Sequence, residues 1–195
     1  MRISRLVAVF APFIFLFSGS SNAQDKTALF GGYSFVHAPV TATEAGSGCV
    51  GNSCITVLLG THLNLHGWEA SGEYKTNRWL GLAADFSGHY GSAFFGNAVH
   101  IHTYLFGPQV SLPGRVSPFA HALFGAAHET IGNSPSLQVS GGTQTSFATG
   151  LGVGIDIKVL PRVSVRAIQF DYLLTRFNSS TQNQPRLSAG IVFHL

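Results

Sequence analysis

The residues able to do chemistry sit in a few short runs. "HIH" at His100–His102 places two imidazoles on one face of an extended chain, because side chains two apart share a face. Two imidazoles begin a metal site, and a third ligand such as His89 or His37 is needed to complete it. The plainer reading is a pair of strand-end histidines, and the sequence leaves both open. His128–Glu129 has the start of a His-Glu-x-x-His zinc motif but lacks the second His, and no Gly-x-Ser-x-Gly nucleophile turn is present. His121 reads as a hydrogen-bonded interior residue. Cys49 and Cys54, the only cysteines, lie together in "GCVGNSC". In an exported chain a close pair is expected to form a disulfide within one loop. The alternative, two thiolates on a metal, falls short of the four ligands of a closed zinc site. No catalytic, cofactor-binding or metal-binding residue is assigned from these runs.

Export is read from the start of the chain. "MRISR" carries two arginines, Leu6–Phe17 is a continuous apolar run, and "SGSSNA" ends with Ser21 and Ala23 in the small-residue positions of a cleavage site. Residues 1–23 are therefore expected to be a signal peptide, and 24–195 the working domain. With Arg2 and Arg5 set aside, 9 basic residues face 8 acidic ones, which gives no case for nucleic-acid binding. Charged residues are only 10% of the chain, far below the roughly 25% of ordinary soluble domains.

The elements that must carry these residues are strands. In "FATGLGVGIDIKV" (Phe147–Val159), Phe147, Leu151, Val153, Ile155 and Ile157 alternate with Gly150, Gly152, Gly154 and Asp156. That is a strand with two unlike faces. Eight such stretches are expected, at about 27–37, 63–75, 79–88, 99–110, 116–128, 146–158, 163–175 and 186–195. They are long enough to cross a bilayer, which a tilted strand does in about nine to eleven residues. Short turns join the second to the third, the fourth to the fifth and the sixth to the seventh. Longer polar loops (38–62, 89–98, 129–145 and 176–185) make the other connections. Lys75, Arg78, Arg115, Lys158 and Arg162 gather at the short turns. Trp79 and Phe119 near the turns, and Tyr33, Phe35, Tyr90, Tyr172 and Phe177 nearer the loops, read as interfacial aromatic girdles. The whole describes an all-β fold, an eight-stranded antiparallel up-and-down transmembrane β-barrel with its apolar faces outward.

Glu69, Ser71, Glu73, Asp85, Ser87, Gln169, Asp171, Arg186, Ser188 and His194 fall on the inward face. An eight-stranded barrel is just wide enough for side chains to fill, so these charges must pair. Arg186 with Asp171, on adjacent strands, is the expected pair. Arg166 falls in register with the apolar face. It must either snorkel at the rim or sit beside a bulge that changes the register.

"FGGYSF" (30–35), "GWEASGEYKTNRWLGLAADFSGHYG" (67–91), "TYLFGPQVS" (103–111), "PFAHALFGAAH" (118–128) and "VRAIQFDYLLTRF" (165–177) together resemble the bacterial outer-membrane barrels related to outer-membrane protein A and the opacity proteins. The resemblance implies eight strands, no cofactor, and placement in the outer membrane by the barrel-assembly machinery. Phe193 fits the terminal signal of that family, where Leu195 replaces the usual Phe. Some small outer-membrane barrels modify lipid A or cleave proteins, yet no His-x-Ser occurs at any of the nine histidines. The expected function is structural or in surface interaction through extracellular loops, with membrane lipids and an extracellular ligand as partners. A narrow channel or small-ligand binder and a lipid-modifying enzyme remain as alternatives. A soluble lipocalin-like barrel would need exterior charges that the chain lacks.

Overall fold

A computed structural model describes residues 26–41, 47–50, 53–56, 60–92, 98–132, 142–177 and 180–195. The expected signal peptide lies outside the described residues. Ten strands are present: β1 (Thr27–Thr41), β2 (Ser47–Val50), β3 (Ser53–Thr56), β4 (Gly60–Lys75), β5 (Leu80–Ser92), β6 (Ala98–Ser111), β7 (Val116–Ile131), β8 (Gly142–Leu160), β9 (Val163–Phe177) and β10 (Ser180–His194). Eight of them close into an antiparallel barrel in the order β1-β10-β9-β8-β7-β6-β5-β4. The small β2–β3 hairpin stands apart in the first long loop. It is an addition to the eight strands the sequence predicts, and the barrel strands also run further toward the loop end than predicted.

Strand register sets the tilt. From Phe35 the paired row runs one way through His66, Tyr90, His100 and Thr130 to Thr143, and the other way through Leu187 and Phe170 to Val153. The two ends meet β8 ten residues apart, a shear of ten for eight strands. That requires a tilt of roughly 40–45° and a narrow interior. Both ends of the barrel wall meet at the turn end, where Leu195 N–H donates to Thr27 O at 2.8 Å and Lys75 N–H to Lys26 O at 2.7 Å. The β4–β5 turn is held by Asn77 Oδ1, which accepts from the N–H groups of Trp79 (2.9 Å) and Leu80 (2.8 Å). This side-chain-to-backbone bonding is why Asn suits tight turns.

Polarity is inverted relative to a soluble barrel. On β8, Leu151, Val153, Ile155 and Ile157 are exposed, whereas Gly150, Gly152 and Gly154 are buried. The inward positions of the wall hold Glu69, Asp85, Ser87, Gln169, Asp171, Arg186 and Ser188, all buried. A Cβ on Gly152 would collide with Asp171 and His121, and one on Gly154 with the Phe119 ring. The glycine face is therefore bare because the lumen beside it is full.

The Arg166 conflict resolves through a bulge. Ile155 pairs with Ile168 and Asp156 with Arg166, so β9 carries one extra residue there. Ala167 and Ile168 both turn outward, and Arg166 is buried in the lumen. Phe119 corrects the girdle assignment. It is 5% exposed and points inward, in phase with His121 and Leu123, where its ring covers Arg166 instead of meeting lipid. Trp79, Tyr33, Tyr90 and Tyr172 are exposed on the exterior as expected.

Candidate functional site

The lumen is occupied by one connected polar cluster between apolar layers. Arg186, on β10, is fully buried and donates two hydrogen bonds to Asp85 across the barrel, Nη1 to Oδ1 at 2.9 Å and Nη2 to Oδ2 at 3.0 Å. Its Nε donates to Asp171 Oδ2 at 2.8 Å, and Glu69 Oε2 lies 3.5 Å from the same nitrogen. The expected Arg186–Asp171 pair is thus one edge of a larger group. Gln169 Nε2 donates to both Glu69 Oε1 (2.8 Å) and Asp171 Oδ2 (2.7 Å). Ser188 Oγ donates to Glu69 Oε2 at 2.5 Å. His121 Nε2 meets Asp171 Oδ1 at 2.7 Å, which places this histidine inside and hydrogen-bonded, as predicted.

Arg166 closes the turn side of the cluster. It forms a two-bond pair with Asp156 (2.8 and 3.0 Å) and donates to Gln169 Oε1 at 2.7 Å. Its guanidinium lies 4.3 Å from the Phe30 ring centroid and 4.2 Å from that of Phe119. Such a sandwich suits a planar cation in a poorly solvated space. Beside the cluster, Leu105, Leu123 and Leu173 pack with Ala83, Ala127 and Ala148. Val36, Leu65, Val99 and Ile101 form a further apolar layer. With Ala28, Phe30 and Val192 packed on the turn side, apolar side chains above and below the ion pairs fill the centre of the barrel.

The other residues singled out in the sequence are dispersed. His100 and His102 lie on the outer face of β6, whereas His89 points into the lumen, where its Nε2 is 2.9 Å from Ser34 Oγ. His37 is on the outer face of β1, hydrogen-bonded to Asn64 Oδ1 at 2.8 Å. The candidate third ligands therefore do not converge on "HIH", and no group of three His, Cys, Asp or Glu among the described residues is placed to hold a metal ion. Cys49 and Cys54 are direct backbone partners across β2 and β3.

One contact was not legible in advance. Ser164 Oγ and His194 Nε2 are 2.8 Å apart at the turn end. They border a cavity of about 270 Å³ that is also lined by Lys26, Glu73, Lys75 and Asp156. His194 is inward-facing by alternation, but Ser164 shares the parity of Arg166 and is turned inward only by the β9 bulge, after which the β9–β10 register brings the two together.

Among solved structures the chain is similar to Neisserial surface protein A (NspA), with 16% identity and a TM-score of 0.60 over 86% of this chain and 99% of that one. It is also similar to Ail, the attachment invasion locus protein of Yersinia pestis, solved with the heparin analogue sucrose octasulfate (16% identity, TM-score 0.56, 86% and 97% covered). OprG, an outer membrane protein of Pseudomonas aeruginosa, aligns at 10% identity and a TM-score of 0.55 over 87% and 95%. No protein-family model and no curated protein sequence matches the chain. At these identities the likeness establishes the fold: the chain is an eight-stranded antiparallel barrel of the outer-membrane type. Its apolar exterior and closed hydrogen-bonded wall are what such a barrel needs to sit in lipid without exposing backbone polar groups.

Proposed function

We propose that this outer-membrane barrel is a non-enzymatic surface protein that acts through its loop end, in adhesion or in support of the envelope, and that its lumen is not a diffusion path. The observation that carries this reading is the filled centre, where Arg186, Asp85, Asp171 and Glu69 are joined between apolar layers. Channels wide enough for general diffusion are built from about sixteen strands or more. Residues 1–23 serve as the export signal in this reading, and Cys49–Cys54 staples the first loop.

The chemistry of the loops narrows the ligand. Across residues 38–62, 89–98, 129–145 and 176–185, the only Lys or Arg is Arg176, and the only acids are Glu44 and Glu129. Ser, Thr, Asn, Gln and Gly dominate. A sulfated ligand of the kind bound in the Ail complex calls for a cluster of cations, which these loops lack. Neutral glycans or protein surfaces, recognised by hydrogen bonds and small apolar contacts, fit better. The test uses liposomes carrying the full chain, presented to immobilised neutral glycans and extracellular-matrix proteins. The comparison is a chain with residues 42–59 and 133–141 replaced by Gly-Ser turns. Adhesion lost in the replaced chain supports the reading; adhesion unchanged by the replacement, or absent for both chains, overturns it.

A further inference from the structure

Five of the nine histidines share one surface. His37 on β1, His66 on β4, His100 and His102 on β6 and His128 on β7 all occupy outward positions, since their neighbours Val36, Leu65, Val99, Ile101 and Ala127 are buried inside. Paired rows climb toward the loop end from β1 to β8. Sequence offsets compensate for that climb, so the five imidazoles fall within ~7 Å of one another along the barrel axis at the tilt given above. Below them, from the turn end up through Val116, Phe106 and Phe86, the exterior is apolar for roughly 25 Å, the height of a hydrocarbon belt. The histidines begin where that belt stops, at the depth of lipid headgroups.

The band is linked by hydrogen bonds. Trp68 Nε1 donates to Tyr90 OH (3.4 Å), which is 3.3 Å from His102 Nε2. Tyr33 OH bonds His66 Nδ1, and His128 Nδ1 meets Thr145 Oγ1 at 2.8 Å. His100 Nδ1 is buried with no hydrogen-bond partner within the described chain. The titratable groups facing the band are Tyr33 from β1, Tyr90 from β5, Tyr104 from β6, and Tyr172 and Arg176 from β9. β8 presents only Thr143, Thr145 and Phe147 at this level, and β10 presents Asn183. On the lumen side of the same wall are His89 and Glu129. Among the described residues no carboxylate points outward, so protonation of the band creates positive charge that no side chain neutralises.

We propose that the outer face of β4–β7 at the loop end binds lipid headgroups whose phosphate gives them a net negative charge, and binds them more tightly when its histidines are protonated. Imidazole is the side chain whose charge ordinarily changes between about pH 5 and 8, so mild acid is the condition in which the band is tested as a cationic surface. A membrane phosphate diester, anionic throughout this range, is the complementary group at that depth. The inference rests on the barrel and its exterior, and it stands or falls independently of any loop ligand.

The experiment uses the two tryptophans as depth-specific reporters. Full-length Trp79→Phe protein retains Trp68 in the band. It is reconstituted in phosphatidylcholine vesicles containing brominated phosphatidylglycerol or brominated phosphatidylcholine, and Trp68 quenching gives the local preference for the anionic lipid. Between pH 8 and pH 5 that preference should rise about three- to tenfold. It should lose the rise when His100→Gln, His102→Gln and His128→Gln are combined. His102→Gln alone, which should lose part of it, replaces the triple variant if that one fails to fold. Trp68→Phe protein, reporting from Trp79 at the turn end, should show no such change. A flat response at Trp68, a rise that survives the glutamines, or an equal rise at Trp79 overturns the proposal.

Discussion

Arg186 and Asp85, 101 residues apart in the chain, are locked together across the barrel by two hydrogen bonds of 2.9 and 3.0 Å. β10 and β5 are not neighbours in the wall, since β1 and β4 lie between them. The pair therefore crosses the lumen and ties two non-adjacent strands while it occupies the space a solute would need.

Removing the guanidinium leaves Asp85, Asp171 and Glu69 buried together without their cation. Arg186→Met should lower stability by about 3–5 kcal/mol, the usual cost of breaking a buried pair from one side. The urea midpoint of the folded, faster-migrating gel band measures this. An unchanged midpoint would show that water already enters the cluster.

The glycine stripe on β8 makes a sharper contrast. Gly152→Ala drives a methyl group into His121 and Asp171, and overpacking of this kind typically costs about 1–3 kcal/mol. Ala in place of the neighbouring Val153 should cost less, because a lipid tail fills the space that the side chain leaves. The same urea titration compares the two variants; equal losses would refute the assignment of faces.

Polarity gives an independent check at the same residue. Val153 is 56% exposed and near the middle of the apolar belt. Val153→Arg should destabilise the barrel in phospholipid vesicles by about 2–4 kcal/mol, as a cation does at the midplane of a barrel exterior. In a water-soluble barrel the same change at an exposed site would stay within roughly 0.5 kcal/mol.

Cys49 and Cys54 are backbone partners across β2 and β3, which predicts a disulfide between them. Thiol alkylation followed by mass spectrometry should find both blocked before reduction and both labelled after it. Reduction should increase protease cleavage within residues 42–59 without moving the unfolding midpoint of the barrel, because the bridge closes a loop of only a few residues outside the closed sheet.

The strands were legible because alternation of large apolar and small or polar residues survives along every one of them, and the Arg186–Asp171 pair followed from parity on adjacent strands. Asp85 did not follow, because parity fixes a face and not a height. Which inward side chains meet across the lumen depends on the shear, and that is set by eight registers at once. Phe119 was misplaced for a related reason. Its nearness to a turn suggested a girdle, while its phase with His121 and Leu123 already pointed inward, toward a guanidinium that a bulge had turned in. The "HIH" run has the spacing of two metal ligands, but the register carries His89 inside, and no three His, Cys, Asp or Glu among the described residues come together to hold an ion.

Planar-bilayer recording of the purified full-length chain asks whether the centre of the barrel is closed. In symmetric salt under applied voltage, a closed barrel gives a quiet baseline with no unitary steps after insertion has been verified by antibody or label. Reproducible conductance steps from the folded protein would show that the centre is open, and would require a path past Arg186 and Asp85.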